Sequence, residues 1–289
     1  MSVATQRALS VPPFHAMVMN HRASVRNAQG AQVLQLHVGQ PATGAPQAAI
    51  DAVRDRLDLP LGYTNAIGLS ELRERIATSY LDQYSLSIAS ERILVVGGAS
   101  AGFTLAFLAM FEPGQRVGVI EPGYPCYRNG LLACGVEPVP IAVGPDTNWG
   151  PTTALLEAAA PLDGLILASP SNPTGRVIPA DDLAAIASWC HTHAVTLIAD
   201  EIYHGITYDL PAPTVLSITN DAIVINSFSK YHSMTGWRIG WMVLPEHLID
   251  PVTRLQENLY ICAPHISQIA AVAALDATDE LDRHVERYR

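Results

Sequence analysis

Lysine is almost missing from this chain: of seventeen basic residues sixteen are arginines, and Lys230 is the only lysine. Arginine stays protonated and cannot condense with an aldehyde, whereas a desolvated lysine loses its proton and attacks a carbonyl. Lys230 is therefore marked as a position where guanidinium chemistry does not serve. Its flanks agree, since Ala-Ile-Val-Ile-Asn-Ser-Phe-Ser precedes it and Tyr-His-Ser-Met-Thr-Gly-Trp-Arg follows. An apolar strand delivers the lysine to a Ser/Gly loop rather than to a solvated face. Charge as a whole is scarce, at 15% of residues against 49% hydrophobic, which implies a large buried core. Positive charge is scarcer than negative, 17 residues against 27, and forms no basic run, which excludes a nucleic-acid backbone or an anionic membrane as partner. Cysteine is sparse: Cys126, Cys134, Cys190 and Cys262 lack Cys-x-x-Cys spacing, which argues against a metal site or a disulfide framework and for a reducing cytoplasm. The longest apolar run, around Ala101 to Phe111, is too short to span a bilayer, and the start has no apolar core with a cleavage site. These absences describe a soluble, cytoplasmic, globular protein. A mean hydropathy of +0.19 adds the expectation of apolar surface awaiting a partner.

From about Ala45 onward, short apolar runs alternate with helical stretches, the pattern of a parallel sheet covered on both faces. Strands are expected at 92–96, 116–120, 136–141, 164–168, 195–199, 222–226 and 237–244. Helices are expected near 70–83, 100–111, 152–159, 180–193 and 246–259. The first forty-odd residues are less periodic and read as an arm or part of a second domain. In open parallel sheets ligands gather at the carboxyl ends of the strands, so the polar residues just after each strand are the ones to weigh.

After the first strand comes Gly97-Gly98-Ala99-Ser100-Ala101-Gly102 opening an apolar helix, where free N–H groups and the helix dipole suit a phosphate. Neither Gly-x-Gly-x-x-Gly nor Gly-Lys-Ser/Thr occurs, and close packing alone would also explain the glycines. Asp200-Glu201-Ile202-Tyr203 ends another strand. A carboxylate there is costly without a partner such as a metal, a cation or a protonated ring nitrogen, although loop solvation serves equally. Asn172, in Ser171-Asn172-Pro173-Thr174-Gly175, is able to reach a ligand but by itself is an ordinary turn asparagine. Tyr124 offers an aromatic face to a flat ring, or is plain core. Arg238 begins the last strand and is placed to share a phosphate with the glycine turn, or to make an exposed salt bridge. Imine-forming lysine, phosphate cradle, arginine, aromatic lid, Asn and Asp together fit a phosphorylated pyridine aldehyde.

These residues resemble the fold-type I pyridoxal-phosphate enzymes, specifically the class I/II aminotransferases related to aspartate aminotransferase. The matching motifs run in the family's order from Val38-Gly39-Gln40-Pro41 through Tyr63-Thr64-Asn65-Ala66-Ile67-Gly68, Ser171 to Gly175, Asp200 to Tyr203 and Ser229-Lys230 to Met234-Thr235-Gly236-Trp237-Arg238-Ile239-Gly240. The resemblance implies a three-layer α/β/α large domain with a mostly parallel sheet, plus an incomplete small domain. Residues 1–45 would form an arm and part of the small domain, 46–280 the cofactor-binding domain, and 281–289 the start of a helix into the rest of the small domain. It implies an amino group moved between an amino acid and a 2-oxo acid by a ping-pong route on pyridoxal 5'-phosphate. Lys230 would carry the Schiff base and shuttle the proton. Asp200 would hold the ring nitrogen, Asn172 and Tyr203 the phenolic oxygen, and Tyr124 would stack on the ring. Gly98, Ala99, Ser100, Ser227 and Arg238 would hold the phosphate. Tyr63 would reach the phosphate of a neighbouring subunit, making a homodimer, and Gly39 and Asn172 would meet the substrate carboxylate.

Two departures stand out. Ala99 lies where many relatives carry a phosphate-binding side chain, so the cradle leans on backbone N–H groups. Against the family's pattern the chain also stops before the part that carries the α-carboxylate arginine, and Arg283, Arg287 and Arg289 are not assigned that role. The same lysine and electron sink serve carbon–sulfur lyases and decarboxylases. A cofactor-binding fragment without activity is a further reading. An effector domain of a transcription regulator is another, but the motifs start too near Met1 to leave room for a winged helix.

Overall fold

Seven apolar runs of four to six residues, each closed by turn residues, join in one sheet in the computed structural model, which describes residues 4–289. Residues 1–3 of the expected arm lie outside the described residues. The chain opens with α1 (Gln6–Ser10), α2 (His15–Ala28), α3 (Gln47–Arg54) and α4 (Ser70–Tyr84). An alternation follows: β1 (Ile93–Val96), α5 (Ala99–Met110), β2 (Arg116–Glu121), α6 (Pro125–Cys134), β3 (Glu137–Ala142), α7 (Thr153–Ala159), β4 (Gly164–Ala168), α8 (Ala180–Thr192) and β5 (Thr196–Asp200). Then come β6 (Ile223–Ser227), β7 (Gly240–Val243), α9 (Glu246–Leu259), α10 (His265–Ala274) and α11 (Thr278–Glu286).

The sheet order is β1-β7-β6-β5-β4-β2-β3. Only β7 is reversed: it pairs antiparallel with both β1 and β6, while the other pairings are parallel. The result is a mixed sheet, parallel as the alternation predicts except at β7, and the mostly parallel sheet that the resemblance implies.

Side chains alternate across a strand, so each strand feeds two cores. Val95, Leu165, Leu167, Leu197 and Val224 enter one core, with α4, α8 and α10. Leu94, Val96, Ile166, Ile198 and Ile225 enter the other, with Phe103, Phe107 and Leu131 of α5 and α6. Fully burying one such side chain contributes about 1.5–3 kcal/mol. Two cores, one on each face, therefore hold the rim of the sheet as a rigid platform.

The structure amends several expectations. Thr235–Trp237 forms a 3-10 turn and Arg238 is left-handed, with φ 52°, so β7 starts at Gly240 and Arg238 lies before the strand rather than in it. α2 appears within the arm; only its Ala23 is buried, and its Met17, Val18, Met19 and Val25 are exposed, so its apolar residues mark no core-facing stripe. α6 occupies Pro125–Cys134, where Pro, Asn and Gly read as loop. Its proline sits at the helix start, where an N–H is not needed, and Gly130 lies against Phe107. α10 and α3 were likewise not foreseen. No helix among the described residues is long and apolar enough to cross a membrane.

Candidate active site

Because β7 alone runs backward, its beginning meets the ends of β1 and β6, with Gly240 paired to both Val96 and Ser227. The turns after β1, β4, β5 and β6 and the turn before β7 thus converge. They surround a cavity of about 620 Å³ lined by Lys230, Asp200, Asn172, Tyr203, Tyr124 and Arg238, and also by Ala99, Ser100 and Gly39.

Asp200 is the last residue of β5 and shares the parity of Ile198, which points it toward the α5/α6 layer. It is 4% exposed. Its Oδ1 accepts the Ile202 N–H at 3.0 Å and its Oδ2 accepts the Tyr127 phenol. Burial pushes its pKa up to about 6, with the Tyr127 and Ile202 hydrogen bonds and the Lys230 charge pulling the other way.

Lys230 follows the buried β6 and donates from Nζ to the Gly39 carbonyl at 2.8 Å. The same nitrogen lies 5.7 Å from the centre of the Tyr203 ring. Burial lowers the lysine's pKa, and the Asp200 charge opposes that shift. This is the setting in which an amine becomes a nucleophile and a base. Asn172 Nδ2 donates to the Tyr203 hydroxyl at 3.4 Å. Tyr203 keeps its proton, its pKa raised chiefly by burial and secondarily by Asp200.

The cationic end is built on backbone. Gly98 has φ +85°, and a Cβ there would collide with the Arg238 guanidinium, so glycine is required on two counts. Arg238 Nη1 donates to the Thr235 carbonyl at 3.0 Å and Nη2 to the Gly97 carbonyl at 3.5 Å. The N–H groups of Ala99 and Ser100 open α5, where helical geometry leaves the first N–H groups without intrahelical acceptors. Guanidinium, helix terminus and dipole together make an anion site.

Three predicted residues stand apart from the cavity wall. The Ser227 side chain, 1% exposed, donates to the Ile239 carbonyl at 2.9 Å and lies 2.8 Å from the hydroxyl of Ser229, and Ser229 is the serine that lines the cavity. Gly98 supports Arg238 from behind. Tyr63 is 86% exposed and is not among the residues lining this cavity. His204, next to Tyr203 in sequence, is a structural histidine whose Nε2 meets the Ser169 carbonyl at 2.9 Å and whose Nδ1 meets the Tyr84 hydroxyl at 2.6 Å.

Residues that the sequence did not flag complete the wall: Tyr127, Ser229, and Pro13, Phe14 and Met17 from the arm. Phe14 packs edge-on to Tyr124, with ring centres 6.1 Å apart. Tyr127 had a usable signal, since it falls one helical turn beyond Tyr124.

With this geometry in view, the chain's relatives fall into one group. Residues 31–289 match the family model for aminotransferase class I and II. The chain is 45% identical to valine–pyruvate aminotransferase of Mycobacterium tuberculosis, covering 96% of this chain and 73% of that protein. It is 32% identical to the (5-formylfuran-3-yl)methyl phosphate transaminase of Methanocaldococcus jannaschii, with the same coverage of both. Among solved structures it superposes on an aminotransferase from M. tuberculosis with a TM-score of 0.96 at 44% identity, covering all of this chain and 76% of that one. It also superposes on aspartate aminotransferase from Thermus thermophilus with maleate, with a TM-score of 0.95 at 26% identity, covering all of this chain and 78% of that one. The chain belongs to the class I and II aminotransferase family, with the α/β fold of aspartate aminotransferase. It is a transaminase by that membership, in a family that works with pyridoxal phosphate.

Proposed function

We propose that this chain moves an amino group from an amino acid with a small, uncharged side chain to a 2-oxo acid, by a ping-pong route on pyridoxal 5'-phosphate bound in the 620 Å³ cavity. The observation that carries the reading is the meeting of Lys230 with Asp200, Asn172, Tyr203 and Arg238 around that one space. The donor set fits the cofactor. Asp200, raised to about 6 by burial, regains its charge when it faces a cationic ring nitrogen, and the Gly98–Arg238 cradle suits a phosphate. When bound, pyridoxal phosphate supplies an aldehyde for amines and a protonated ring that draws electrons from the substrate's α-carbon.

The chain's own residues do the rest. Arg238, Ser229 and the N–H groups of Ala99 and Ser100 would hold the phosphate, Tyr124 would cover the ring, and Asn172 with Tyr203 would bind the phenolic oxygen. Lys230, its proton loosened by burial, would be the residue that holds the cofactor's aldehyde carbon and, as a free amine, would move the proton at the substrate's α-carbon. The Gly39 carbonyl, 2.8 Å from Nζ, fixes the direction of the amine, which leaves the Gly39 N–H and Asn172 for the substrate carboxylate. Residues 46–280 are the cofactor-binding unit in this reading, and the arm supplies the wall against the substrate side chain.

Two observations support the substrate class. Pro12, Pro13, Phe14, Met17 and Val38 give that wall apolar groups beside His15, His37 and Arg128, and among the described residues Asp200 is the only carboxylate on the cavity lining. The valine–pyruvate enzyme, at 45% identity, has a name of the same class. The 86% exposure of Tyr63 supports a homodimer in which this tyrosine serves the neighbouring site. The test is absorbance of the purified chain with pyridoxal phosphate, wild type beside Lys230→Ala, before and after valine, alanine or aspartate. A visible band that needs Lys230 and shifts with valine supports the reading. Release of ammonia without a 2-oxo acid acceptor would turn it toward a lyase.

A further inference from the structure

We infer that Tyr127 is a positioning residue for the ring-binding carboxylate: its hydroxyl holds Asp200 ionised and aimed into the cavity, while its ring holds Tyr124 over the same space. The inference rests on the reading above, in which Asp200 meets the ring nitrogen of pyridoxal phosphate.

Tyr127 lies in the first turn of α6 and is 6% exposed. Its ring is boxed by Phe103, with centres 5.0 Å apart, and by Tyr124, edge-on at 5.3 Å and 81°. The box fixes where the hydroxyl points, and it points at Asp200 Oδ2. Asp200 Oδ1 is already engaged by the Ile202 N–H at 3.0 Å. Each carboxylate oxygen thus has one dedicated donor, and the carboxylate plane is set by protein alone.

The groups that face Asp200 decide what this hold is for. They are Tyr127 from α6, Tyr124 at the cap of that helix, Tyr203 and Lys230 from the turns after β5 and β6, and Glu201 as its sequence neighbour. Lys230 is the only cation among them, and its charge disappears whenever it gives up its proton to react. The phenol and the Ile202 amide remain to oppose the protonation that burial favours. A protonated acid would no longer pair with a cationic ring. Tyr127 is suited to a permanent donor role, because burial and then Asp200 itself push its pKa well above the ordinary phenol value.

The experiment compares wild type with Tyr127→Phe, which keeps the ring and removes only the hydroxyl. In the cofactor-free protein, carbon-13 NMR of labelled aspartate follows the Asp200 carboxyl, assigned by its loss in Asp200→Asn. The midpoint, about 6 in wild type, is expected to rise by roughly one unit in Tyr127→Phe. Pyridoxal phosphate is expected to bind about tenfold more weakly, and the acid limb of kcat to move upward with KM little changed. A folded Tyr127→Phe with unchanged midpoint and unchanged cofactor affinity would overturn the inference. Should that variant fail to fold, difluorotyrosine at position 127 keeps the shape and strengthens the donor, and the midpoint must then fall; an unmoved midpoint overturns the inference. If wild type itself fails to bind pyridoxal phosphate, the proposed function falls, while the carboxyl titration still decides whether Tyr127 governs Asp200.

Discussion

Asp200 and Glu201 are neighbours in sequence and nearly equal in burial, at 4% and 3% exposed, yet they face different layers of the molecule. Glu201 turns toward the layer of Thr214 and Val215. Both of its oxygens accept from the Thr214 hydroxyl, at 2.9 and 3.0 Å, and Oε1 also accepts the Val215 N–H at 2.9 Å. Its Oε2 lies 3.6 Å from His204 Nδ1. Protein groups surround this carboxylate, which ties the 214–217 turn to the end of the sheet. Asp200 has two donors and one open side, and the open side is the cavity. A buried acid satisfied all round serves the fold; one satisfied on two sides and exposed to a cavity on the third is open to a ligand, as the proposed function requires of Asp200.

The sharpest way to break this comparison is to neutralise each acid in turn. Asp200→Asn should lower transamination kcat by about a hundredfold or more, whereas Glu201→Gln should leave kcat per folded molecule within about threefold. Steady-state rates corrected for folded fraction decide it, and the reverse pattern would abolish the distinction. Stability should respond oppositely. Glu201→Ala strands the Thr214 hydroxyl and the Val215 N–H, and should cost about 3 kcal/mol in urea unfolding.

The pH dependence of the cofactor-free protein sharpens the contrast further. The folded pKa of Asp200, about 6, lies above its ordinary 3.8, so between those values the folded chain keeps a proton that the unfolded chain has lost. Stability contributed by this group therefore falls as pH rises from about 4 to about 6, by about 3 kcal/mol, and is level above. Asp200→Asn should remove that slope and leave the cofactor-free protein more stable than wild type at pH 7. The smallest expected effect is at the opposite end of the cavity. Gly98→Ala, strained by its φ of +85° and by contact with Arg238, should cost about 1–2 kcal/mol of stability and weaken pyridoxal phosphate binding severalfold. Thermal melts and cofactor titration measure both.

Much of this was legible in the residues because turn chemistry brackets the elements. β4 at Gly164–Ala168 and α9 at Glu246–Leu259 have the bounds the sequence predicts. Lys230, Asp200, Asn172 and Arg238 stand out one by one in the sequence, Tyr203 through the family resemblance, and all five meet around one space, since each follows or precedes a strand at one edge of the sheet. Arg238 was misplaced into β7 because Trp-Arg-Ile-Gly-Trp-Met-Val has a strand-like apolar character. Its backbone is left-handed and its guanidinium lies against Gly98, 140 positions earlier, and no local pattern records that contact. The exchange of Ser227 for Ser229 at the wall has the same origin. Both are serines of the same parity, and which one faces the cavity depends on where β6 ends. Tyr127 was hidden because a helix beginning with Pro-Cys-Tyr-Arg-Asn-Gly lacks the usual helix-forming residues.

The reversal of β7 bears on the order of assembly. β6 and β7 are antiparallel neighbours, so the segment from Ser227 to Gly240 is the loop of a single hairpin, closed where those two residues pair. Lys230 and Arg238, the proposed reactive amine and the proposed phosphate-binding guanidinium, both ride on it. Closing a loop this short has a small entropy cost compared with bringing together strands a hundred residues apart. The separation between the two charges is therefore set by local pairing. The long-range folding of the sheet then has only to bring Asp200 and the α5 terminus to a pair of cations already spaced for them.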